Sequence, residues 1–181
     1  RRVLVAGRKL GLEPRLHANQ LAHSGGAQLA AELAAVSADH LDHIDDADIA
    51  ALRNAGTVAV LLPGVSFSLQ LPQARGPDLW DAAVTVAIAT DCNPGTSHIE
   101  TMPFVIALAC LEMGLSPEQA TWSATRGGAR ALGMEDRGFL SPGAVGDLVV
   151  LRHPSYVHLA YRPDAPAVGS VVKDGEFVVG R

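Results

Sequence analysis

Short strand-like segments alternate with helix-like segments at a nearly constant period, and this alternation limits the possible folds more than any other feature. Strand candidates end near His17, His40, Pro63 and Asp91, which lie 23, 23 and 28 residues apart. A (β/α)8 barrel of about 250 residues spends roughly 30 on each unit. Four units therefore fit, which is half of such a barrel. A small open doubly wound sheet gives the same alternation, and the pattern alone leaves both open.

The local signals support the alternation. Arg15 to Ala18 follows Gly11 as a short strand, and residues 27–36, AQLAAELAAV, are strong helix formers. Ser37 to His40 is extended again. Asp45 to Asn54 reads as a helix with acidic residues in its first turn, stopped by Gly56. Thr57 to Leu62 and Thr85 to Thr90 are continuous apolar or β-branched runs, as expected of strands buried on both faces. Asp78 to Ala83 is a shorter helix. Met102 to Met113 is an apolar helix, and Ser116-Pro117-Glu118 starts another that runs to about Leu132. After the Gly- and Pro-rich segment Gly138 to Gly146, three short strands are expected. They are Asp147 to Arg152 and a pair around the turn signal Lys173-Asp174-Gly175. The expected organisation is a barrel part over residues 1–138 and a small β-subdomain over 139–181.

Composition narrows the function classes. Hydrophobic residues make up 48% of the 181 and charged ones 18%, with a net charge of −5. No basic stripe is present to neutralise phosphates, so nucleic acid is not an expected partner. No apolar run reaches the roughly 20 residues that span a bilayer. The opening residues Arg1 to Lys9 return to charge too soon for a signal peptide, and no capping residue precedes them. The chain is therefore expected to be a piece of a longer protein. Cys92 and Cys110 have neither metal nor disulfide spacing, which suits a reducing cytoplasmic setting.

Three of the four strand ends carry a side chain able to bind metal: His17, His40 and Asp91. A lone His at a strand end is more often structural, and a lone Asp before Pro-Gly is usually a turn residue. Three on successive strand ends of a barrel face one mouth, where catalysis sits in that fold. His and carboxylate ligands suit zinc or non-haem iron. A charge at Asp91, after so apolar a strand, calls for a metal or cation partner. Beyond it, Asn93, Gly95 and Thr96 offer groups that can hold a polar substrate, or form a plain Asn-Pro-Gly turn. Arg75 and Arg126 read as solvated surface charges, Cys92 as barrel packing, and Trp80 and Trp122 as core.

Leu16-His17-Ala18-Asn19-Gln20, followed by Gly25-Gly26-Ala27-Gln28, resembles the fifth-strand region of the imidazolonepropionases of the amidohydrolase superfamily. Ser37-Ala38-Asp39-His40 resembles their sixth strand, and Val60-Leu61-Leu62-Pro63-Gly64 their seventh. Ala89-Thr90-Asp91-Cys92-Asn93-Pro94-Gly95 resembles their eighth. Gly143 to Val150 resembles the strand by which such enzymes return to a small β-sandwich.

The resemblance implies an α/β fold: part of a TIM-like (β/α)8 barrel, about strands 5–8, with a β-sandwich tail. It implies hydrolysis of the cyclic-amide C–N bond of 4-imidazolone-5-propanoate to N-formimidoyl-L-glutamate, in histidine degradation. It implies one divalent metal, zinc or iron, held by His17 and Asp91 and by two histidines of a first-strand His-x-His. His40 would orient or deprotonate the attacking water, and Asn93, Gly95 and Thr96 would contact substrate. Two departures bear on this. Gln20 stands where the family carries Glu, so a proton-transfer role there gives way to substrate binding. No His-x-His occurs in the chain, so those ligands are expected from a missing amino-terminal half, without which the chain would be inactive. A homodimer in the cytoplasm is expected by the same resemblance. The alternatives are a nucleobase deaminase of the same superfamily and a non-catalytic barrel relative. A nucleotide-binding open sheet lacks the required Gly-rich loop.

Overall fold

The computed structural model describes residues 1–180. Its helices are α1 (Arg2–Lys9), α2 (Gly26–Glu32), α3 (Asp46–Ala55), α4 (Pro63–Leu69), α5 (Gly76–Asp81), α6 (Met102–Leu111), α7 (Pro117–Trp122), α8 (Gly128–Ala131) and α9 (His158–Tyr161). A π-helical turn, Ser123–Gly127, joins α7 to α8. The strands are β1 (Arg15–Ala18), β2 (Ser37–His40), β3 (Val58–Leu61), β4 (Val86–Ile88), β5 (Leu148–Leu151), β6 (Val168–Lys173) and β7 (Glu176–Val179).

The first four strands form one parallel sheet in the order β1-β2-β3-β4. Each strand follows its helical crossover and pairs with its predecessor, so all four carboxyl ends open on one side. Alternation of side chains then decides what each face does. Ala59 and Leu61 of β3 enter the main core with Leu52, Leu79 and Val105, while Val58 and Val60 join Ala87 and Ala131 on the opposite face. β3 is thus covered on both faces, as its apolar run predicts. β1 differs: Leu16 and Ala18 are buried, whereas Arg15 and His17 are exposed.

The caps follow the sequence. Asp45 accepts from the Asp48 amide in a capping box, and Gly56 ends α3 at φ 69. Ser116 and Gln119 form a second capping box at α7. The π-helical turn exists where the helix crosses β4 at close range: a Cβ at Gly127 would stand 2.1 Å from the Val86 carbonyl oxygen. The remaining strands form a separate antiparallel sheet, β5-β6-β7. Its hairpin turns at Asp174 and Gly175, φ 51 and 84, the left-handed pair that a two-residue turn requires.

Several expectations change. The helix expected over residues 27–36 stops at Glu32, because Ala34 turns back at φ 41 to feed β2. Pro63 does not end a strand; it occupies the first turn of α4, a helix the sequence reading missed. β4 stops at Ile88, so Asp91 lies three residues beyond the strand. Cys92 is exposed and packs no barrel interior. Arg126 is no solvated charge: it donates to the carbonyls of Glu135 and Arg137, each at 3.0 Å. Trp80 and Trp122 pack edge to face, ring centres 5.4 Å apart, and both are half-buried.

Candidate active site

A cavity of about 660 Å³ lies on the face of the parallel sheet away from α2, α3 and α5. His17, His40 and Asp91 all line it, together with Arg15, Asp39 and Ala89. The pattern of strand ends thus brings its three metal-capable side chains to one place. The backbone reaches that place by strained routes. His40 and Leu41 have φ 80 and 63, and Asp91 has φ 46. Non-glycine residues pay of order 1–3 kcal/mol for such conformations, which cluster at functional sites.

His40 is buried at 2% exposure. Its ring lies 4.0 Å from that of His17, tilted by 41°. Its Nε2 is 3.9 Å from Asp91 Oδ2, and its Nδ1 is buried with no partner. Burial, and then the neighbouring His17, pull the His40 pKa down to about 4. The imidazole is therefore neutral near pH 7, a weak base that offers one ring N–H as donor and one ring nitrogen as acceptor. His17 faces the cavity, and its Nε2 is 2.7 Å from Gln20 Oε1. Asp39, in register with His17 on the next strand, has its carboxyl pKa raised by burial.

Among the described residues, His40 is the one basic side chain within 4.0 Å of Asp91. Arg15 and Arg137 also line the cavity, but neither pairs with Asp91 within 4.0 Å. Imidazole and carboxylate are donor types that zinc or non-haem iron takes. A tighter triple exists elsewhere: the donor atoms of His23, Asp45 and Asp48 lie within 4.8 Å of one another. Those residues are occupied in structure. Asp45 caps α3, and Asp48 accepts from His23 at 2.8 Å and Gln28 at 2.9 Å.

The loop after β4 is self-organised. Asn93 Oδ1 accepts from the amides of Gly95 and Thr96, at 2.9 and 2.8 Å, and Asn93 Nδ2 donates to the Asp91 carbonyl at 2.6 Å. In this geometry the Asn93 side chain builds the turn that carries Asp91, and the Gly95 and Thr96 amides are spent within it. Sequence reasoning also missed two buried polar residues here. Asn19 and Asp42 are 3% and 8% exposed; Asn19 links the loops after β1 and β2, and Asp42 links the loop after β2 to Ser66 of α4. Their type gave no signal, because an Asn or Asp after a strand reads as an ordinary turn residue.

The amidohydrolase-family profile matches residues 1–179. The chain belongs to the amidohydrolase family. This amidohydrolase is 54% identical to an imidazolonepropionase of Streptomyces griseus, over 99% of the chain and 46% of the relative. It is 53% identical to an imidazolonepropionase of Mycolicibacterium smegmatis, over 98% of the chain and 45% of the relative. The chain thus spans about half the length of the curated relatives it matches. Among solved structures it resembles a zinc-bound adenosine deaminase from Xanthomonas campestris, with TM-score 0.82 and 23% identity over 99% of the chain and 48% of that protein. A triazine hydrolase variant matches with TM-score 0.84 and 20% identity, over 98% of the chain and 46% of that protein. These two likenesses show that the α/β fold, with its parallel sheet, is shared with those proteins.

Proposed function

We propose that this chain supplies strands five to eight of a (β/α)8 amidohydrolase barrel, with β5–β7 as part of a small β-sandwich. Joined to an amino-terminal half, it hydrolyses 4-imidazolone-5-propanoate to N-formimidoyl-L-glutamate. Residues 1–138 form the barrel part and 139–181 the β-subdomain, of which Arg181 lies outside the described residues. The convergence of His17, His40 and Asp91 on one cavity carries this reading. The imidazolonepropionase relatives supply the substrate, since the cavity here has only part of its walls.

His17 and Asp91 hold one divalent ion, zinc or iron, with a His-x-His from the amino-terminal half. The zinc in the Xanthomonas relative supports that ion class. When bound, such an ion lowers the pKa of its water from 15.7 to about 7. Asp91 takes the proton of the water that attacks the ring carbonyl carbon. It returns that proton to the ring nitrogen as the C–N bond breaks. His40, neutral and within 3.9 Å of Asp91, orients the water and hydrogen-bonds the developing oxyanion. Gln20, Asn93, Gly95 and Thr96 do not line the cavity of this chain; in the assembled protein they contact substrate, Gln20 without exchanging protons. No helix of the described residues is long and apolar enough to cross a membrane. The assembled protein acts in the cytoplasm as a homodimer.

The test is an assay of the chain joined to its amino-terminal half. Loss of the imidazolone ultraviolet absorbance and appearance of N-formimidoyl-L-glutamate by mass spectrometry are expected, with one metal per protomer. Ammonia release from a nucleobase instead would establish a deaminase, and absence of bound metal a non-catalytic relative. The isolated chain, with two of the four ligands, is expected to be inactive.

A further inference from the structure

A side chain that belongs to neither strand bridges the loops that follow β1 and β2. Asn19 follows β1 at φ 53 and is 3% exposed. Its Oδ1 accepts from the Gly26 amide at 2.9 Å and from the Ser24 hydroxyl at 3.1 Å, both in its own loop. Its Nδ2 donates to the His43 carbonyl at 2.9 Å, in the loop after β2, and lies 3.4 Å from Asp48 Oδ2. The backbone repeats the connection. The Leu41 amide donates to the Ala18 carbonyl and the His43 amide to the Asn19 carbonyl, both at 3.0 Å.

These bonds bracket the site. Asn19 is two residues from His17, and His43 is three from His40. The segment from His40 to His43 runs through two left-handed non-glycine residues, His40 and Leu41, a conformation that persists only where its surroundings over-determine it. The contact also leaves no slack. A Cβ at Gly26 would stand 2.9 Å from Ala18 Cβ and 3.1 Å from Asn19 Oδ1. Asn19 is the residue whose side chain donates across the two loops while accepting within one.

We infer that Asn19 is a positioning residue: its amide bridge sets the 4.0 Å spacing of the His17 and His40 rings and so prepares the metal-binding side of the site. The inference deepens the proposed hydrolase reading and rests on it for its catalytic meaning. The spacing itself is a property of the metal-free protein.

The experiment uses the chain joined to its amino-terminal half, as wild type, Asn19→Ala, Asn19→Asp and Asn19→Asp with Asp48→Asn. Nitrogen NMR of metal-free protein reads the imidazole environments of His17 and His40. Chelator competition reads zinc affinity, and steady-state kinetics separate kcat from KM. Asn19→Ala is expected to shift both imidazole spectra and weaken zinc binding about 10- to 100-fold, the range for supporting partners of metal ligands. Asn19→Asp keeps the acceptor for Gly26 but loses the donor to His43 and places a carboxylate near Asp48. Adding Asp48→Asn relieves that repulsion and keeps one acceptor oxygen for the surrounding donors, so thermal stability recovers in part. The imidazole shifts and zinc affinity stay altered, because the donor is still missing. Wild-type imidazole shifts and zinc affinity in the stable double variant would overturn the inference and leave Asn19 a structural residue. Failure of the wild type to open the ring would defeat the hydrolase reading instead, with the metal-free NMR still deciding what Asn19 does.

Discussion

Asp42 is a buried carboxylic acid that the proposed chemistry does not use, and it should make the fold measurably sensitive to pH. The residue is 8% exposed. One oxygen accepts from the Ser66 hydroxyl at 3.2 Å, and the other has no partner. Burial raises its pKa from 3.8 to about 6, opposed by the Ser66 bond and the nearby His43 and His17. The folded state therefore holds the proton more tightly than the unfolded chain. Stability attributable to this group is greatest below pH 3.8, falls as pH rises towards 6, and is flat above it. A displacement of about two pH units, at about 1.36 kcal/mol each, amounts to roughly 3 kcal/mol. Asp42→Asn keeps an acceptor for Ser66 and removes the titration, though its amide N–H group is left unpaired at a cost of about 1–3 kcal/mol. The pH-independent cost cancels when the two proteins are compared across pH. Urea unfolding of wild type and Asp42→Asn from pH 4 to pH 7 should show the variant gaining by up to about 3 kcal/mol relative to wild type. A difference that stays constant over that interval would refute the reasoning.

Other outcomes follow from particular contacts. Gly127→Ala places a methyl group against the Val86 carbonyl and should destabilise the fold by about 3 kcal/mol or more, read by denaturant unfolding. Ser116→Ala removes the acceptor for the Gln119 amide at 3.1 Å and should cost about 1 kcal/mol by the same measurement. His17→Ala in the assembled protein should lower bound metal and kcat/KM together, by at least about a hundredfold. Elemental analysis showing full metal occupancy in that variant would remove His17 from the ligand set.

Much of this architecture is legible in the sequence because local rules and tertiary demands agree. The β-branched runs at Val58–Leu61 and Val86–Ile88, the Asp45 cap, the Gly56 stop and the Asp174-Gly175 turn are each specified by a few neighbouring residues. Disagreement appears where a distant segment intervenes. The continuous helix expected from Ser116 to Leu132 contains a π-helical turn, because its small residues cross β4 at contact distance. Arg126 reads as a surface charge until the segment around Glu135 folds back onto it.

The candidate site divides in the same way. The strand period and the identity of His17, His40 and Asp91 are local properties, so the chain alone determines that metal-capable groups stand at or just beyond three of the four strand ends. Their meeting in one cavity, the neutral state of His40 and the two-loop bridge of Asn19 belong to the tertiary structure. Burial, ring spacing and hydrogen-bond pairing depend on residues about 20 or more positions apart in the chain, such as Asn19 with His43 and His40 with Asp91. No local propensity carries that information. Only the packing of successive loops against one another supplies it.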